Sequence, residues 1–253
     1  MAFTTQCQIF TQAEVASLRI GGAILRDCLA HTALLVRPGI STLELDAAAE
    51  TFILARGGRP AFKGYFGFTA TLCTSINDEV VHGIPRSERM LKEGEIISLD
   101  CGVIYDDLYT DACVSVGVGQ IAPKAQAFLA YTSQTLEDVI HEVVRAGVQT
   151  GDISSFIEMR LKKGGYEAVR TLTGHGLGTT LHQFPDVPNV GKKGTGPVLP
   201  VGTMIAIEPI ATMGSAEVYT ADDGWTVLTT DGSLACHFEH SVLLTKDGVE
   251  VIA

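Results

Sequence analysis

Positive charge is scarce in this chain of 253 residues: 18 Lys and Arg stand against 29 Asp and Glu, leaving a formal net charge of -11. Such a balance repels a phosphate backbone, because nucleic-acid binding relies on basic side chains displacing condensed counterions. Nucleic acid is therefore not expected as a principal ligand. Long apolar runs are lacking too. No stretch reaches the roughly 20 residues of a membrane-spanning helix, and the start, MAFTTQCQIFTQAEVASL, has no basic segment followed by an apolar one. A soluble cytoplasmic protein with no membrane partner is expected. The six cysteines (Cys7, Cys28, Cys73, Cys101, Cys113 and Cys236) form no CxxC pair, which argues for free thiols and against a zinc knuckle or disulfide framework. No Pro/Gly/Ser-rich linker separates the halves, so a single domain over residues 1–253 is expected.

What is present is an ample apolar fraction, 46%, enough for a sizeable core. Apolar positions over residues 12–36 (Val15, Leu18, Ile20, Ala23, Leu25, Leu29) recur at helical spacing until Pro38-Gly39 ends the pattern. A second helix is predicted after Ser41-Thr42, with Glu44 as its N-terminal acid, running to Gly57-Gly58. Strand-like segments follow at 69–76, 96–103 and 108–118. The order then repeats, with helices over 125–146 and 153–164 and strands over 204–213, 226–229 and 234–244. KEGEIISLD (92–100) also parallels PVGTMIAIE (200–208): a glycine turn leads into an apolar strand that ends on a carboxylate. This suggests a duplicated α+β unit, with pseudo-repeats of about 10–120 and 121–253. The expected architecture is two sheets or one curved sheet, helices on the outer face and acids on the inner.

Apolar strands normally avoid carboxylates, since an unpaired buried charge is strongly destabilising. Asp100, Asp111, Glu208 and Glu239 nevertheless fall inside such stretches. A turn centred near Tyr105-Asp106 would set Asp100 opposite Asp111 in a hairpin, suited to bridging a cation or sharing a proton. His175 sits in Gly174-His175-Gly176-Leu177-Gly178, where glycines allow close backbone approach and leave the imidazole open to a ligand. Taken singly, an acid in a strand is usually solvent-facing, and a histidine among glycines is usually a turn residue. Together, four oxygen donors and one nitrogen donor without thiolate favour Mn, Fe, Co or Zn in a two-metal site.

Five motifs occur in order: SINDEVVHGIP (75–85), the Asp100/Asp111 pair, GHGLG (174–178), AIEPI (206–210) and FEHSV (238–242). With them the chain resembles the type I methionine aminopeptidases of the pita-bread fold, over about residues 10–250. The resemblance implies a pseudo-twofold α+β fold with a curved antiparallel sheet covered by helices. It implies two divalent ions, Co, Mn, Fe or Zn: Asp100 on one, His175 and Glu208 on the other, Asp111 and Glu239 bridging. Glu208 would move protons, and His82 and His182 would hydrogen-bond the substrate near the scissile bond. Tyr65, Phe68, Cys73, Leu181 and Trp225 would help line a methionine pocket. Expected substrates are N-terminal Met peptides and nascent polypeptides whose second residue is small, acted on by a monomer.

Three positions depart from the family's pattern. Thr110 stands where glycine is common, Leu181 replaces a frequent aromatic, and Gln183 a frequent glutamate. They bear on the shape of the pocket and the level of activity; none removes a metal ligand. Any ribosome contact would be weak and would rely on pairs such as Lys162-Lys163 or Lys192-Lys193. The alternatives are a proline-directed aminopeptidase or prolidase of the same fold, and a peptide-binding relative without catalysis. Calcium binding is disfavoured, since His175 is a poor calcium ligand and no EF-hand loop is present.

Overall fold

A computed structural model describes residues 6–253. Helix α1 (Gln12–Leu35) begins where Thr11 can cap it: the Thr11 hydroxyl accepts from Glu14 N at 3.3 Å, and Thr11 N donates back to Glu14 at 2.7 Å. Helix α2 (Thr42–Ala55) starts on the same device, with Ser41 and Glu44 exchanging bonds. Each reciprocal pair satisfies backbone donors that a helix start leaves unpaired. Two-residue β1 (Arg59–Pro60), β2 (Leu72–Ile76) and β3 (Glu79–Val81) follow, then the long hairpin of β4 (Ile96–Tyr105) and β5 (Leu108–Gly117). Leu25, Leu29, Leu45 and Ile53 of the two helices bury against Leu72, Ile97, Leu99 and Val103 of the strands. Alternation along β2 and β4 thus sends one face to the helices and the other to the interior cleft.

Next come α3 (Pro123–Glu142) and α4 (Thr150–Lys163), then β6 (Glu167–Ala168), β7 (Thr173–Gly176), β8 (Gln183–Pro188), β9 (Met204–Ile207), β10 (Ile210–Thr212), β11 (Val218–Thr220), β12 (Val227–Thr229), β13 (Ala235–His237), β14 (His240–Leu244) and β15 (Val249–Val251). Phe128, Leu136, Ile157 and Leu161 of α3 and α4 pack on Ile205, Ile207, Ala211 and Val242. Every strand pair is antiparallel. No helix among the described residues is long and apolar enough to cross a membrane.

The structure corrects three expectations. The strand expected over 204–213 is two, because Pro209 has no N–H to continue a ladder; β9 stays between β14 and β7, while β10 pairs with β13 and β6. The strand expected over 234–244 likewise divides into β13 and β14, which run in different sheets. Instead of one or two sheets, the described strands form hydrogen-bonded groups of four, three, three and five. The four-stranded and five-stranded groups are joined: Cys113 and Glu239 exchange backbone bonds at 3.3 and 3.1 Å, and Ser241 Oγ accepts from Asp111 N at 2.9 Å while donating to Asp111 O at 2.7 Å. Strand β14 is thereby tied to β5.

Candidate metal centre

The β4–β5 hairpin turns at Asp106-Asp107, both with positive φ (48° and 59°), as a two-residue hairpin turn of matching twist requires. The ladder therefore pairs Asp100 with Cys113 and Gly102 with Asp111. Asp100 and Asp111 share a face as diagonal neighbours and are not directly opposite, because the turn lies one residue later than Tyr105-Asp106. Cys73 is the β2 partner of Asp100, which puts Cys73, Asp100 and Cys113 in one cross-strand row. His175 comes from β7, which the glycine-rich segment forms as an extended strand. A Cβ at Gly174 would lie 2.4 Å from Ala206 O, and one at Gly176 would lie 2.3 Å from Phe184 O. Only glycine lets β7 come so close to its neighbours. Glu208 follows β9 directly, and Glu239 precedes β14.

These elements converge on one cavity of about 430 Å³. Asp100, Asp111, His175, Glu208 and Glu239 line it together with Tyr65, Phe68, Cys73, Leu181 and Trp225, which belong to one apolar cluster, and with His82 and His182. Every site residue named from the sequence borders this space. Donor atoms of Asp111, His175 and Glu239 lie within 4.8 Å of one another, and His175 Nε2 is 3.8 Å from Asp111 Oδ2. Asp111 Oδ1, Asp100 Oδ1 and Glu239 Oε1 are buried with no hydrogen-bond partner. Burial, and then the neighbouring carboxylates, push Asp111 and Glu239 well above the usual range; burial and the charge of Asp100 do the same to Glu208. Burial, followed by His182, lowers His175 to about 3, so its imidazole is neutral and free to ligate. Crowded, unpaired oxygens around a neutral imidazole fit a divalent cation, which would satisfy the orphans and favour the ionised carboxylates. The thiols do not compete. Burial, then nearby acids, push Cys73 and Cys113 far up, so both stay protonated.

Aromatic and imidazole rings pack together in the same lining. Phe68 meets Trp225 edge-on at 5.1 Å, and His82 faces the same indole at 6.3 Å. Tyr65 Oη lies 2.9 Å from His182 Nδ1, and the His182 ring is 4.2 Å from that of His175. His82 has φ of 59°, a left-handed backbone costly for a residue with a Cβ, of the kind that gathers at functional sites.

The model of metallopeptidase family M24 matches residues 16–246. The chain belongs to that family. This M24 chain is 42% identical to a methionine aminopeptidase of Clostridium perfringens, over 94% of its own length and 95% of the relative's. Its fold superposes on the crystal structure of methionine aminopeptidase from Thermotoga maritima with a TM-score of 0.96 at 36% identity, covering 98% and 99% of the two chains. The prolidase from Pyrococcus furiosus shares the fold at a TM-score of 0.78 and 18% identity, with 96% of this chain covered but only 64% of that one. The M24 pita-bread fold, α+β with antiparallel sheets, is thus this chain's architecture.

Four M24 site neighbours escaped the sequence reading. Phe62, Phe66 and Val81 also line the cavity. His237 lies behind it, its Nε2 3.6 Å from Asp100 Oδ2. Its place two residues before Glu239 was the only available signal, and a histidine in a three-residue strand gives no sign of burial.

Proposed function

We propose that this chain removes the N-terminal methionine from peptides and nascent proteins, acting in the cytoplasm as a monomer and preferring a small second residue. The observation that carries this reading is the single cavity in which a carboxylate and imidazole cluster meets aromatic, thiol and aliphatic side chains. Such a lining suits an unbranched, polarizable thioether. The near-complete mutual coverage with methionine aminopeptidases supports it over the proline-directed relatives, and the presence of all five donors supports it over a binding protein without catalysis.

Asp100, Asp111, His175, Glu208 and Glu239 would hold two divalent ions, of Co, Mn, Fe or Zn. Bound there, such ions supply Lewis acidity that polarises a carbonyl and lowers the pKa of water. Glu208 accepts the proton of the attacking water and delivers it to the leaving amine. In the tautomer that carries its proton on Nε2, His182 accepts from Tyr65 O–H at Nδ1, 2.9 Å away, and offers Nε2–H to stabilise charge on the carbonyl oxygen. His82, held against Trp225, hydrogen-bonds the scissile amide. The carboxylate of Asp100 marks the end where the free α-amino group sits.

The test is release of methionine from Met-Ala-Ser by chelator-stripped protein with Mn, Co, Fe or Zn restored, beside Ala-Pro-Ser. Metal-dependent cleavage of the first alone is expected. Cleavage of the second alone would transfer the chain to the proline-directed enzymes, and cleavage of neither with metal bound would leave a binding protein.

A further inference from the structure

His237 is 1% exposed, and neither Nδ1 nor Nε2 has a hydrogen-bond partner. Buried polar groups are nearly always paired, so an orphaned imidazole calls for an explanation. Its backbone is firmly held: His237 O accepts from Ser115 Oγ at 2.6 Å and from Cys113 Sγ at 3.5 Å, and His237 N donates to Ser115 Oγ at 3.3 Å. Ser115 is in turn braced by Ser98, 2.7 Å away. So anchored, the ring aims Nε2 at Asp100 Oδ2 from 3.6 Å, slightly beyond hydrogen-bond reach. Asp100 is otherwise poor in partners, since its Oδ1 has none.

We propose that His237 is a positioning residue for Asp100: its Nε2–H steadies the carboxylate from behind and so sets how tightly Asp100 grips a divalent ion. His237 does not border the cavity that Asp100 lines, so it stands outside the ligand set. The geometry is that of an outer partner that fixes a ligating carboxylate, and loss of such partners lowers metal affinity by about 10–100-fold. The proposal rests on the metal-dependent reading of the site, though not on which peptide is cut.

The experiment is calorimetric titration of chelator-stripped full-length protein with Mn(II), without peptide, for wild type, His237→Leu and His237→Gln, beside the melting temperature of each metal-free form. His237→Leu removes the donor but fills the space with apolar atoms, so its metal-free melting temperature should match or exceed that of wild type. Its Mn(II) affinity should fall by about 10–100-fold. His237→Gln, whose amide reaches a similar distance, should recover most of that loss. Wild-type affinity in His237→Leu would overturn the proposal. So would parallel loss of melting temperature and affinity without rescue by glutamine, which marks a merely structural histidine. Absence of Mn(II) uptake by wild type itself would overturn the metal reading, and this one with it; both are then distinguishable from a failure confined to His237.

Discussion

Glu208 and Ser241 carry the sharpest expectations for single residues. Glu208→Gln keeps the shape but removes the proposed proton acceptor, so kcat on Met-Ala-Ser at saturating metal should fall by about 10²–10⁴-fold. An unchanged kcat, with metal content verified, would remove Glu208 from proton transfer. Ser241 is fully buried and bonds both N and O of Asp111. Ser241→Ala leaves those two backbone groups unpaired and should cost about 1–3 kcal/mol in urea unfolding. A midpoint identical to wild type would show that the hydroxyl is not needed. The acids were legible in the sequence because carboxylates in apolar strands contradict ordinary patterning. His237 was not, since a lone imidazole in a short strand carries no such contradiction. Phe62 and Phe66 were passed over for a related reason: aromatic residues pack in any interior, and only the fold decides which of them border a cavity.

Among the elements, both N-terminal helices could be read almost to the residue, the first from its apolar spacing and the stop at Pro38-Gly39, the second because Ser41 and Glu44 write its start into the sequence. Strand limits were harder. Pro209 breaks one apolar stretch into β9 and β10, and the hairpin register depended on which two residues, Asp106-Asp107 or the pair before, took the left-handed turn. The β11–β12 hairpin, which carries Trp225, yields a test of its own. Asp231 accepts from Ser215 N at 2.7 Å and Ser233 N at 3.0 Å at the base of that hairpin. These donors, the Ser215 amide first, hold its carboxyl at about 2. A folded-state value below the ordinary one means that this stability is present above about pH 4 and is lost as pH falls towards 2. Trp225 is the only tryptophan, so its emission reports on this hairpin. Its emission should shift across that window in wild type, while Asp231→Asn should show a flatter acid response; the same acid shift in both would absolve Asp231.

For the whole molecule, the decisive variable is metal loading. Asp111, Glu208 and Glu239 are all raised by burial and mutual repulsion. A raised folded-state value means that the metal-free chain is favoured while these groups keep their protons, and loses that stability as pH climbs above the ordinary carboxylate range. Ion uptake displaces the same protons, so affinity should rise with pH. Ion at about a hundredfold excess over Kd adds roughly 2.7 kcal/mol, or about 5–10 °C in melting temperature for a chain of this size. Scanning calorimetry at two pH values, with and without ion, checks both claims. Equal melting temperatures in all four conditions would mean that the cluster holds no cation.

The five donors come from far-apart segments: Asp100 and Asp111 from one hairpin, His175, Glu208 and Glu239 from strands 60 to 130 residues later, tied by the β5–β14 seam. Metal held by donors on both sides would work as a clasp across the seam, and opening the chain for a protease would require letting it go. The protein's resistance to a protease would then follow the free-metal level.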